Sequence, residues 1–119
     1  MNPLSRYMHW LHTRWPAGRV EKMPEVGEDG GTKLPGVRVV GDLTGIPLLK
    51  FSTLTGARAV RAFAAEPSFR PGEGGEGVVD LVIVGAGVSG MAAALEAKTR
   101  GLSFRVFDAA EPFTTIVNF

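Results

Sequence analysis

The run VVDLVIVGAGVSG, residues 78–90, limits what this chain can fold into more than any other feature. VVDLVIV is a near-continuous apolar stretch, as expected of a strand in a parallel sheet covered on both faces. It runs directly into Gly85, Gly87 and Gly90, spaced G-x-G-x-x-G, and then into the small residues of VSGMAAALEAKTR. Those residues predict a helix from 88 to about 100, ended by Gly101 in the usual C-terminal position. SFRVFD follows as a second strand and completes a β-α-β unit.

Each glycine in this turn has a physical task. Gly85 permits a tight turn, Gly87 allows a pyrophosphate to approach the backbone, and Gly90 lets the helix lie close to the strand. The backbone from Gly85 through Ala86, Gly87, Val88 and Ser89 to Gly90 then offers N–H groups and a helix dipole to a dianion. Asp108 ends the second strand 18 residues after Gly90, where a carboxylate can accept hydrogen bonds from ribose hydroxyls. The plainer alternative is a glycine-rich turn in an ordinary α/β core.

A second informative stretch, LPGVRVVGDLTG, stands earlier, at residues 34–45. VRVV reads as a short strand ending at Gly41-Asp42, with Arg38 at an edge or surface position. Pro47 suits the first turn of a helix, and the chain from Pro47 to about Ala64 has no further proline. Leu49, Val60 and Phe63 fall near one face of that helix, with Gly56 and Ala59 allowing close approach to a sheet. Lys50, Arg58 and Arg61 can remain in water.

Between the two stretches, EPSFRPGEGGEG (residues 66–77) reads as a mobile linker, too rich in Pro, Gly and Glu to bury much surface. At the N-terminus, residues 2–23 gather aromatic groups around His9 and His12, and Pro16 and Gly18 end any helix. The two histidines share a face at i, i+3, but no further ligands stand nearby, so packing or an interface is expected and no metal. The 119 residues suit one modest domain. A net charge of +1 offers no broad basic surface for nucleic acid. Without cysteine there is neither a disulfide nor a thiol redox pair within these residues. There is also no spanning apolar run and no secretory h-region, so the expectation is a cytoplasmic protein without a membrane partner.

The stretch DLVIVGAGVSGMAAALEAKTRGLSFRVFDAAEP resembles the N-terminal FAD-binding element of the two-dinucleotide-binding-domain flavoproteins, which include thioredoxin reductase, glutathione reductase and amine oxidase relatives. Asp80, GAGVSG, the Ala-rich helix and VFDAAEP carry the likeness. Where that family has Glu this chain has Asp108, one methylene shorter, which leaves NAD open for this element taken alone. TKLPGVRVVGDLTGIPLLKFSTLTGARAV resembles the other flavin motif of the superfamily, closest to its thioredoxin-reductase branch. The second likeness implies FAD. It implies that Asp42 holds a ribityl hydroxyl, that Gly41 lets the flavin arm pass, and that a helix starting at Ile46 or Pro47 points its positive end at the flavin.

The fold implied is α/β, a Rossmann-like FAD-binding parallel sheet, incomplete and circularly permuted. Residues 1–65 supply the Gly-Asp strand and helix, 66–77 the linker, and 78–119 the β-α-β unit, with both halves forming one FAD domain. A helix of about 17 residues spans roughly 25 Å, and the linker reaches at most roughly 40 Å, so the chain can return to the start of the Val78 strand. The competing explanation of the order is that residues 1–65 end one flavoprotein unit and Val78 begins another. The resemblance covers residues 19–117, and the family is several times longer, so these residues are expected to be the N-terminal piece of a longer reading frame, inactive alone. The parent is expected to be an FAD-dependent oxidoreductase using NAD(P)H, with an acceptor that is a redox partner protein or a fused electron-transfer domain. The resemblance allows a homodimer, and neither the choice between NADH and NADPH nor any catalytic residue is read. Two alternatives stand beside it: a non-catalytic FAD/NAD(P)-binding module and an NAD(P)-dependent dehydrogenase fragment.

Overall fold

Leu81–Val84 (β1) and Phe104–Phe107 (β2) pair in parallel, with Leu81 opposite Phe104 and Val84 opposite Phe107. Parallel strands need a crossover, and Val88–Thr99 (α3) provides it. The computed structural model describes residues 2–14, 22–45 and 48–117, and within them the protein is mixed α/β with this single two-stranded sheet. Pro3–Arg14 (α1) precedes a 3-10 turn at Gly41–Thr44, and Leu49–Ala65 (α2) follows that turn. Thr114–Val117 (α4) is one helical turn near the end.

The layer order is sheet, α3, α2. This explains why α3 is so rich in alanine: it is apolar nearly all round because it is packed from two sides. Ala93, Ala94 and Ala97 are buried with Ile83 of β1 and Val60 of α2, and Leu81, Leu102, Phe104 and Val106 pack around them. Contact with α2 is close enough to exclude side chains. A Cβ on Gly56 would stand 2.1 Å from the carbonyl oxygen of Ser89 and 3.2 Å from the amide nitrogen of Ala93.

One polar cluster fastens the strands and another the helices. Asp80 enters β1 with its carboxylate accepting from the N–H and the hydroxyl of Ser103, both at 2.8 Å, and from the Gly72 N–H at 2.6 Å. Those backbone hydrogen bonds, Gly72 first, hold its carboxyl below the usual range. Between the helices, Glu96 on α3 accepts from Arg61 Nε of α2 at 3.0 Å and from Arg100 Nε at 2.8 Å. Arg61, then Arg100, pulls the Glu96 carboxyl down from 4.5 to about 2.

Several sequence expectations are corrected here. VRVV is not a strand of the sheet: Arg38 forms one antiparallel bridge with Gly31, and the Val39 N–H donates to the Gly30 carbonyl at 2.8 Å. Its backbone partner is thus the preceding turn rather than β1. Gly56 approaches helix α3 instead of a sheet, and Ala59 is buried. Leu49 and Phe63 do not join Val60 in the core: Leu49 is exposed and Phe63 half-buried. The sheet is covered on one face only, because β1 and β2 have a single crossover helix, and Val82, Val84 and Phe107 remain exposed on the other. The end of the chain turns through α4. Helix α2 begins at Leu49; Ile46 and Pro47, like Pro16 and Gly18, lie outside the described residues.

Gly56→Val should therefore lower stability by about 1–3 kcal/mol through overpacking, whereas Arg58→Ala on the exposed side of α2 should shift it by no more than about 0.5 kcal/mol; urea midpoints decide this. The depressed Glu96 carboxyl contributes stability above its unfolded value, and that contribution falls as pH drops from 4.5 toward about 2. The stability difference between the wild-type chain and Arg61→Ala should shrink across that window.

Candidate functional site

β1 ends at the glycine turn, and the turn is held from both sides. The Gly85 N–H donates to the Phe107 carbonyl at 2.7 Å, extending the strand pairing by one bond. Asp108 then accepts the Ala86 N–H on Oδ2 at 2.5 Å and the Ala110 N–H on Oδ1 at 2.9 Å. These backbone donors, Ala86 first, lower the Asp108 carboxyl from its usual value. On the opposite side the Phe113 N–H donates to the Ala86 carbonyl at 2.9 Å, with Phe113 itself at a left-handed φ of 58°. Ala86 is buried, and both of its backbone groups are used.

The three glycines of the turn differ in their surroundings. Gly85 turns at φ +104°, and Gly90 meets the turn so closely that a Cβ would stand 1.8 Å from the Gly85 carbonyl oxygen. Gly87 is different: it precedes the first turn of α3, a Cβ there would meet nothing within 4 Å, and no side chain caps the helix. The N-terminus of a 12-residue helix therefore opens onto free space beside a backbone that any larger residue would obstruct.

The Gly-Asp segment lies against this same helix start. A Cβ on Gly41 would stand 2.6 Å from Ser89 Oγ, so the two glycine signatures touch. Gly41 has a φ of +74° and donates its N–H to Thr55 Oγ1 at 2.9 Å. Asp42 follows with Oδ1 accepting the Ser52 hydroxyl at 3.1 Å, and Ser52 is buried in α2. The 3-10 turn closes with the Thr44 hydroxyl on the Gly41 carbonyl at 2.7 Å.

A cleft of about 1230 Å³ opens between the 35–43 segment, α2, β1 and the glycine turn. Val39, Asp42, Ser52, Ile83, Gly87 and Ser89 are among its walls. Arg38 also lines it and is neither an edge nor a surface side chain: one-tenth exposed, it is clamped between carboxylates. Its guanidinium bonds Asp29, meets Glu66 at 2.5 Å and lies 4.8 Å over the Phe63 ring. The clamp ties residues 29–40 to the end of α2. It accounts for a cation inside VRVV that a sheet strand would not accommodate.

Gly85, Ala86, Gly87, Val88, Ser89, Gly90 and Asp108 thus form one turn, and Gly41 and Asp42 adjoin it through Ser89. Ile46 and Pro47 lie outside the described residues. Ala86 and Asp108 serve the turn itself, because each is engaged in backbone hydrogen bonds. Ser52, Thr55 and Phe113 were not singled out from the sequence. Ser52 and Thr55 had a legible signal, two hydroxyls at i, i+3 beside Gly56, whereas nothing in EPFTT announces a left-handed phenylalanine. Among the described residues there is no group of three or more His, Cys, Asp or Glu able to hold a metal ion, and no helix long and apolar enough to cross a membrane.

The family model of an FAD binding domain matches residues 80–117. The matched segment runs from Asp80 through the glycine turn, α3 and β2 to Val117. It supports FAD binding within a flavoprotein oxidoreductase, on about a third of the chain. No curated protein and no solved structure matches the chain. The residues fit such a group where they can be tested: the open backbone at Gly87 and the uncapped start of α3 suit a pyrophosphate dianion.

Because the lowered Asp108 carboxyl is bonded to the Ala86 N–H, its protonation should be readable at that amide. The Ala86 amide resonance should move with a midpoint below 3.8, and the hydrogen bond should be present above that pH and lost beneath it. A midpoint at or above 3.8 would show that the bond does not form in solution.

Proposed function

We propose that this chain is the FAD-binding part of an NAD(P)H-dependent flavoprotein oxidoreductase, with both glycine signatures contributing to one cofactor site. The observation that carries this reading is the contact of Gly41 with Ser89, which sets Asp42 next to the helix start at Gly87. The match of residues 80–117 to an FAD binding domain supports the nucleotide half.

In this reading the N–H groups at the start of α3, from Val88 to Gly90, hold the pyrophosphate, and Gly87 leaves room for it. Asp108 keeps the turn closed and presents its remaining lone pairs toward an adenosine ribose. Asp42, oriented by the buried Ser52 hydroxyl, accepts a ribityl hydroxyl. Residues 35–43 and α2 wall the cleft and exclude water from one side of the site. Bound FAD would supply the hydride chemistry, exchanging electrons between a nicotinamide and an acceptor. The chain's own task is binding and orientation.

The proposal includes a permuted order within a Rossmann-like, thioredoxin-reductase-like domain. Residues 1–65 supply the ribityl side, 78–119 the pyrophosphate side, and 66–77 the connection. The packing of α2 on α3 supports one body formed from both segments.

Equilibrium titration of the purified chain with FAD tests the reading. One FAD should bind per chain, Asp42→Ala should weaken binding at least about tenfold, the loss of one hydrogen bond to a charged group, and Gly87→Val should abolish it while leaving the circular dichroism spectrum intact. Unchanged affinity in Asp42→Ala would remove the Gly-Asp segment from the site. For the activity, the full-length protein loaded with flavin should lose its oxidised-flavin absorbance on anaerobic addition of NADH or NADPH; a spectrum indifferent to both would favour the non-catalytic binding module.

A further inference from the structure

Helix α1 (Pro3–Arg14) packs against no other element of the described structure. It is nevertheless well specified locally, with the Asn2 side chain accepting the Ser5 N–H at 2.7 Å as an N-terminal cap. Leu4, Tyr7, Met8 and Leu11 recur at i, i+3, i+4 and i+7 and so form one apolar stripe. Leu4 is 69% exposed and Tyr7 57%, with Met8 and Trp10 also open to solvent. The Tyr7 and Trp10 rings stack at 6.0 Å, which widens the stripe by an aromatic flank.

The charge on this segment is one-sided. Residues 1–20 carry Arg6, Arg14 and Arg19 with His9 and His12, and the first acidic residue is Glu21. The remainder of the chain is acidic on balance, since the whole carries only +1. A short helix with an apolar stripe, aromatic residues at its flank and exclusively basic charge has the chemistry of a segment that lies in a lipid headgroup layer.

We propose that α1 is a peripheral anchor that docks on an anionic lipid surface, with Leu4, Tyr7, Met8 and Leu11 entering the acyl boundary and Arg6 meeting the headgroups. The charge complementarity selects the partner. A second copy of this chain would bring the same positive charge to the contact, and a nucleic acid would meet the arginines but leave the apolar stripe in water. A helix of 12 residues is marginal by itself, so docking on the surface adds to the stability its cap provides. Anchoring of this kind is independent of a spanning helix and places the cleft near the bilayer without inserting the α/β body.

The protein reports the event without a label, because its only two tryptophans, Trp10 and Trp15, both lie in this segment. The full chain is mixed with vesicles of equal parts phosphatidylcholine and phosphatidylserine, and separately with phosphatidylcholine alone. Tryptophan emission should shift to the blue and the chain should sediment with the anionic vesicles, at least about tenfold more strongly than with neutral ones, and less at high salt. Arg6→Glu should reduce binding on the order of tenfold or more, and Leu4→Ser with Tyr7→Ser should remove the blue shift. Neither variant touches the core, so urea midpoints should match the wild type. The proposal is overturned by equal binding to both vesicles, by no binding to either, or by binding that ignores the serine substitutions. Concentration-dependent dimers lost in the serine variant would assign the stripe to a second copy instead. Retention on duplex DNA or RNA that the serine variant preserves would assign the charge to nucleic acid.

Discussion

The structure depends on how closely α3 approaches its neighbours. On one side Gly90 lets the helix start sit on the Gly85 carbonyl; on the other, Gly56 brings α2 onto the Ser89 carbonyl. Neither position has space for a methyl group. These two contacts bracket the first turn of α3, so the packing that stabilises the body also fixes where the helix N-terminus points. The alanines that follow extend the same close contact along the helix, and the resulting core is small: among the described residues, Val60, Ile83 and three alanines form its buried cluster. Polar fasteners compensate for that size. Asp80 joins the two strands at their start, Asp108 joins β2 to the turn, and Glu96 joins α3 to α2.

The same contacts generate the candidate site. Because α2 lies against α3 at Gly56, the residues of the preceding turn of α2, Ser52 to Thr55, arrive beside the glycine turn. The Ser52 hydroxyl thereby donates to Asp42, and Thr55 Oγ1 accepts the Gly41 N–H. A segment some forty residues upstream of the glycine turn thus becomes part of its wall. The order of the signatures in the chain and their adjacency in space are reconciled by helix packing, with no strand of the 37–40 segment in the sheet.

The β-α-β unit was legible in the sequence because each part obeys a local rule. Apolar β-branched runs form β1 and β2, glycines mark the turn, and alanines with a closing Gly101 delimit α3. Helix α2 was legible for the same reason. The 37–40 segment was misread because VRVV satisfies strand propensity while its neighbours decide its pairing. Asp29, Glu66 and Phe63 together hold Arg38, and none of them is adjacent to it in sequence. Exposure of Val82 and Val84 was equally invisible, since an apolar strand reads alike whether one face or both are covered. Within the site, the residue types at 85–90 and 41–42 were readable, whereas the engagement of Ala86 by Asp108 and Phe113 depends on tertiary geometry.

The central claim is that the two signatures serve one ligand. Amide chemical shifts of the labelled chain, followed through an FAD titration, test this most directly. Resonances of Gly87, Val88, Ser89 and Gly90 and those of Gly41 and Asp42 should move along a single binding curve that saturates at one FAD per chain. Movement confined to residues 87–90, with Gly41 and Asp42 unperturbed at saturation, would contradict the account and leave a turn that binds a nucleotide without the Gly-Asp segment.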